Sequence, residues 1–464
     1  MPFSSTTSPL CAPVPYRSQA DAVDRLDGRT AEGLLSVGRV SLQTAPDQAV
    51  ARHGWVHALV TVLAALIAMI VVAALGLWAA GAADLPDGAF PRVVAATVVV
   101  AVGGSIELTG DAGAIAETKA GLAVTPLSVT LAGVLVVAAG FLRPLRHRAV
   151  AGAPELAGWA ARIAVLWLIA LAALALSARQ TFAISLGEGT LSDIGDIFGA
   201  SSPRVGFKAD VPVTLAFGLL WLAGVLVIAL LVSPRAPLPA RLLRFQESVR
   251  PAAYAMVVLL LAFVALGVVI ALVVAMTRGR APETLAVVLL GLPNLVWLIF
   301  TIGLGASWEG RVEGPFGLPM PQVLDSVLRT PDISTLNLRT LSEQDGRVWW
   351  LVVVDAVLLL AVAFLMAKRS PARTRAWQHA VHMAVALALT VLTVCLIGRI
   401  DAHYGLSLLG IGDVGGGLSG ELFLRPQLWG AIGFALLWGL VTGFLGALLA
   451  SRVRHRGEVE NPKA

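Results

Sequence analysis

Residues 347–375 read RVWWLVVVDAVLLLAVAFLMAKRSPARTR. The run from Arg347 to Ala367 is long enough for a bilayer, because a helix needs about 20 residues to cross about 30 Å of hydrocarbon. It opens on Trp349 and Trp350, which suit a membrane interface, and closes on KRSPARTR, a basic turn of the kind retained in the cytoplasm. One carboxylate, Asp355, stands inside the run. At membrane depth a carboxylate is costly unless it is protonated, paired or wet, which makes it a functional candidate by default. The other reading is a neutral Asp bonded to a neighbouring helix.

The rest of the chain has the same character. Of 464 residues 57% are apolar, and the 46 glycines add about 10% more, whereas 14% are charged. Soluble domains hold about 45–50% apolar and about 25% charged residues. No single core hides so much apolar surface, so a water-soluble globule is excluded and the lipid bilayer is the first partner. The net charge of +5 comes from arginines clustered at the ends of apolar runs, which points to topology and away from nucleic acid. Cys11 and Cys395 lie in a polar tail and an apolar run, and suggest neither a disulfide nor a metal site.

Seven further segments have crossing length, at 55–80, 121–142, 155–178, 211–233, 252–276, 378–400 and 427–450. Two others are shorter or broken. Residues 92–102 fall between Pro91 and the polar GGSIELTGD, and 285–304 are interrupted by Gly291 and Pro293. These two resemble each other. Shifted by 202 positions, Pro91, Gly103, Ser105 and Glu107 fall on Pro293, Gly305, Ser307 and Glu309. Shifted by 217, residues 194–221 fall on 411–438 with nine of 28 positions identical, among them Asp196 with Asp413, and Phe217 and Trp221 with Phe434 and Trp438. We read a tandem duplication.

Basic turns at 143–148, 234–244, 368–375 and 452–456 can share the cytoplasmic side only if each half crosses an even number of times. The expected fold is therefore an all-α polytopic membrane protein. It has two similarly oriented halves, each with about four crossing helices and one re-entrant or interfacial broken segment. The expected organisation is a cytoplasmic, disordered tail at 1–53, membrane repeats at 54–244 and 245–451, and a cytoplasmic tail at 452–464. The loops 81–91, 179–210, 304–346 and 401–426 face outward. Nothing in 1–53 reads as a cleavable signal peptide, so the first apolar run acts as an anchor in the bacterial plasma membrane.

The Gly-[GA]-Ser turns with Glu107 and Glu309 suit a cation or polar solute if they lie at membrane depth, where irregular backbone survives only when buried in protein or lining a wet cavity. If the segments only dip to the interface, the same carboxylates are solvated or cap the break. Asp196 and Asp413, in DIGDI and GIGDV, read first as loop-shaping residues. Gly410, Ile411, Gly412 and Asp413 resemble the GxGD motif of intramembrane aspartyl proteases, but no second aspartate with that family's flank accompanies them. His379 and His382 share a helix face without a third ligand, and Arg399 with Asp401 is an expected outer ion pair. No metal or cofactor is implied, and no nucleotide motif or G-x-S-x-G elbow occurs.

The runs LAVTPLSVTLAGVLVVAAGFLRPLR (122–146) and GLPNLVWLIFTIGLGASWEGRVEGPFGLPMP (291–321) resemble the streptophobe family, very hydrophobic multi-pass proteins of Streptomyces and relatives. The resemblance implies a membrane location and no site residues. Three functions follow as expectations. The first is a non-enzymatic transporter or channel for a small polar solute or cation, with Asp355, Ser105, Glu107, Ser307, Glu309, Asp196 and Asp413 as candidate binding residues. The second is a membrane subunit or scaffold, as a homo-oligomer or with a membrane-protein partner. The third, resting on the GxGD-like string alone, is a membrane hydrolase.

Overall fold

The computed structural model describes residues 45–86, 88–111, 116–145, 153–183, 204–233, 240–279, 281–312, 328, 333–370, 374–408 and 420–458. The chain separates into Met1–Ala51, of which only the opening of the first helix is described, and Arg52–Ala464. The helices are α1 (Ala45–Ala79), α2 (Phe90–Ala101), α3 (Leu127–Leu145), α4 (Ala153–Ser177), α5 (Val211–Val232), α6 (Ala240–Arg278), α7 (Ala281–Gly303), α8 (Leu338–Gln344), α9 (Trp350–Arg369), α10 (Ala376–Ile397) and α11 (Leu428–Glu458). Among the described residues nine are long and apolar enough to cross a membrane, all but α2 and α8. Their outward faces expose Ile67, Ile169, Leu220, Val269 and Leu389, apolar side chains suited to contact with lipid. The protein is an all-α polytopic membrane protein.

The segments between helices are more ordered than their composition predicts. Eight short strands, β1 (Ile106–Asp111), β2 (Ala116–Ala123), β3 (Arg179–Ala183), β4 (Arg204–Ala209), β5 (Trp308–Val312), β6 (Ser334–Leu336), β7 (Ile400–Leu408) and β8 (Gly420–Pro426), form one antiparallel sheet. Its order is β3-β4-β1-β2-β7-β8-β5-β6, so one four-strand order occurs twice and the halves join through β2 and β7. The expected crossing at 121–142 is corrected accordingly. Residues 116–123 belong to β2, and the helix runs from Leu127 to Leu145. Asp401 pairs with Arg425 on the neighbouring strand, at 2.7 Å, and not with Arg399.

The sheet fixes the direction of each helix attached to it. α3 leaves it after β2, α4 returns to β3, α5 leaves after β4, α10 returns to β7 and α11 leaves after β8. Between the far end of α5 and β5 lie α6 and α7. Both have crossing length, but if both crossed, β5 would emerge on the face opposite its own sheet. Only one makes the traverse. α7 packs across the sheet-side ends of other helices: Leu290 lies against Gly76 near the end of α1, and Asn294 bonds residues at the start of α3. The 39-residue α6 therefore crosses. α2, with 12 residues, reaches about 18 Å and is too short to cross. Eight crossings result, with α2 and α7 held on the sheet side, and the Gly54 end of α1 and the Val453 end of α11 lie on the opposite face. α7 is continuous through Gly291 and Pro293, against the expected interruption. The boundary drawn at 244/245 falls inside α6, and α1 begins within the stretch read as a tail.

Tryptophans divide by role. Trp55, Trp78, Trp349, Trp350, Trp377 and Trp429 are exposed near helix ends, where an interfacial belt belongs. Trp159, Trp167 and Trp297 instead donate their indole N–H groups to carbonyls of neighbouring helices, and Trp438 to the Leu304 carbonyl just past α7. Each half has its own apolar core, one containing Val62, Phe141 and Trp167, the other Leu259, Phe300 and Leu387. α10 and α11 approach closely because Gly439 and Gly443 face the backbone of Ala384 and Ala380.

Candidate functional site

α2 and α7 end in the same turn. Gly103 and Gly305 take positive φ, 91° and 105°, which costs an L side chain about 1–2 kcal/mol. A Cβ at either would also crowd a phenylalanine, Phe217 at 3.3 Å or Phe434 at 3.2 Å. The chain then climbs into the sheet, where the Asp210 amide donates to the Ser105 carbonyl at 3.1 Å and the Gln427 amide to the Ser307 carbonyl at 2.9 Å. Glu107 stands opposite Lys208, and Glu309 opposite Arg425. Glu309 also accepts a 2.7 Å bond from the Gln427 amide group.

Ser105, Glu107, Ser307 and Glu309 therefore lie where the strands begin, with Ser105 and Glu107 exposed and Ser307 and Glu309 partly exposed. The turns lead directly from the ends of α2 and α7 into the strands of the sheet. Asp196 and Asp413 lie outside the described residues. His379 is buried and its neighbour in sequence spacing, His382, is exposed, so they do not face one point. Among the described residues no three His, Cys, Asp or Glu side chains gather as a metal site.

Asp355 differs from these candidates. It is 1% exposed on α9, and its Oδ2 has no hydrogen-bond partner among the described residues. Its carboxylate lies against Gly303, the last residue of α7, so closely that a Cβ there would overlap Oδ2. The last carbonyls of a helix have no partner within it and need one from elsewhere. At α7 the Phe300, Thr301 and Ile302 carbonyls accept from Leu304, Ala306 and Gly305 at 3.1, 3.0 and 2.9 Å, and Leu304 accepts from the Trp438 indole at 3.1 Å. Gly303 is the exception, with no bond to its carbonyl among the described residues.

In the first half the matching place is filled. Thr130, the fourth residue of α3, donates its hydroxyl to the Ala101 carbonyl at 2.6 Å, at the end of α2. Ala101 and Gly303 are 202 positions apart, the shift that superposes the two glycine turns. α2 and α7 thus each end against a polar side chain of the next crossing helix, a hydroxyl in one half and a carboxylate in the other.

Sequence reasoning marked Asp355 but missed the elements that surround it. It also missed Asn294 on α7, whose Oδ1 accepts from the Leu127 amide at 3.1 Å and whose Nδ2 donates to the Thr125 carbonyl at 2.9 Å. With the Ser128 hydroxyl donating to the Val288 carbonyl at 2.7 Å, this ties α7 to the first half. An asparagine beside a proline in an apolar helix was the available signal.

Fold and site together define a multi-pass helical membrane protein with a carboxylate enclosed at a helix break. No family model, curated protein or solved structure matches the chain.

Proposed function

We propose that the protein is a carrier or channel for a small polar solute or cation, with Asp355 as the binding group inside the bundle. The supporting observation is that buried carboxylate against the end of α7. Helix breaks that meet a polar group inside a bilayer are a recurrent way to build transport sites. In this reading the two halves arose by duplication, the protein is not an enzyme, and the arginine-rich turns hold the face opposite the sheet, with both termini, in the cytoplasm of a bacterial cell. Ser105, Glu107, Ser307 and Glu309 would line the approach from the sheet side.

The test is flux into proteoliposomes containing the purified protein. Asp355→Asn should abolish it while Glu309→Gln reduces entry less; equal flux in wild type and Asp355→Asn would remove Asp355 from the mechanism. A second reading, a membrane subunit serving a partner, is favoured by the sheet's outer strands β3 and β6, each paired on one side only among the described residues. Absence of flux with stable co-purification of another membrane protein would select it.

A further inference from the structure

We propose that Asp355 is a single-proton site, and that the protonated carboxyl donates Oδ2–H to the carbonyl of Gly303. The identity of the ligand deepens the carrier reading above and takes its functional meaning from it.

Two orphans belong to this contact: Oδ2 lies where a Cβ of Gly303 would be, and the carbonyl is that of the same residue. Oδ2 of Asp355 is buried without a partner, and the Gly303 carbonyl is the one group at the end of α7 left unbonded among the described residues. An ionised carboxylate can only accept, as can a carbonyl, so the pair stays unsatisfied while Asp355 is charged. One proton satisfies both. The first half provides the precedent, since the Thr130 hydroxyl makes this bond to the Ala101 carbonyl at 2.6 Å. The second half replaces a donor that is always present with one that exists only when a proton is bound.

A metal ion fits poorly. Calcium takes 6–8 oxygen ligands and magnesium needs a near-octahedral set. The nearby oxygens are already engaged: the Thr301 hydroxyl donates to the Leu298 carbonyl and accepts from the Trp308 indole, and the Thr301, Ile302 and Leu304 carbonyls accept the bonds described above. That leaves one carboxylate and one carbonyl, a set for a proton. Charge leads to the same ligand. α7 has no ionisable residue after Glu283, α6 has only Tyr254 from 251 to 277, at the end away from the sheet where Arg369 lies over its ring, and α11 has none from Leu428 to Ser451. α10 carries His379 and His382 at the end away from the sheet and Cys395 near the other, and α9 has no other ionisable residue before Lys368. No acid or base on these helices competes for the proton at the α7 end.

The proton also acts on structure. With it, α7 is latched to α9 as α2 is to α3; without it, a charged Oδ2 faces the negative end of α7, where the helix dipole disfavours an anion. Loss of the proton releases the end of α7.

Infrared difference spectroscopy on the purified full chain in lipid tests the assignment directly. Wild type should show the carbonyl-stretch band of a protonated carboxyl, shifted down in D2O, and the band should vanish in Asp355→Asn. Asp355→Thr, which copies the first half's residue, should also lack the band; it keeps a donor to Gly303 and guards against misfolding of the Asn variant. If both variants retain the wild-type band, or the wild type lacks it, the proton assignment falls. Proton flux is measured separately in vesicles with a pH-sensitive dye inside. The band without flux leaves the proton site standing and removes the carrier reading, whereas uptake of another cation with Asp355 ionised overturns the proton site and leaves the carrier.

Discussion

The Asp355 carboxylate occupies the space in which a side chain at Gly303 would begin. Residue 303 is therefore confined to glycine by its neighbour.

Gly303→Ala should destabilise the protein by about 1–3 kcal/mol, the usual cost of forcing an extra carbon into a packed core. Adding Asp355→Ala should restore space, so the double variant should lose less than the sum of the single losses, by about 0.5–3 kcal/mol for residues in contact. Denaturant unfolding in detergent followed by tryptophan fluorescence provides the measurement. Strictly additive losses would show that the two residues are not in contact.

Asn294 connects the halves through two hydrogen bonds to the first turn of α3 and the residues before it. Asn294→Leu strands the Leu127 amide and the Thr125 carbonyl, at about 1–3 kcal/mol for each group left buried. Asn294→Asp keeps the acceptor for Leu127 and loses the donor to Thr125, and should fall between wild type and Leu. A Leu variant as stable as wild type would mean that α7 is held by apolar packing alone.

The crossings were legible because they depend on local composition. Arg347 to Ala367 reads as a span from length, tryptophans and basic end, Asp355 stands out within it, and the helix found there is Trp350–Arg369. The sheet was not legible. Its strands are short, carry glycines and charges as in IELTGD and AETKAGLA, and owe their order to partners far away in sequence, as with Lys119 opposite Gly405. The partners of Glu107 and Glu309 were hidden for the same reason, because Lys208 and Arg425 come opposite them only through strand pairing. Pro293 marks a break in many helices, yet a membrane helix tolerates it when neighbours satisfy the freed backbone. Gly303 gave no warning, since one glycine in an apolar helix does not announce the side chain that will fill its space.

Sidedness follows from the sheet and can be measured one cysteine at a time, in a background with Cys11 and Cys395 replaced. Thr181 on β3 and Glu343 on α8 are exposed and belong to opposite halves, but both lie with the sheet. Arg375 precedes α10 and Ser451 lies near the end of α11, both exposed on the far face. Cysteines at Thr181 and Glu343 should react with a membrane-impermeant maleimide from one side, and those at Arg375 and Ser451 only from the other. Crossing by α7 as well as α6 would move Glu343 to the opposite side from Thr181, because it would add one traverse between them. Labelling of Thr181 and Glu343 from different sides would therefore exclude both the eight-crossing path and the equal orientation of the halves, since an unpaired traverse turns the second half over relative to the first.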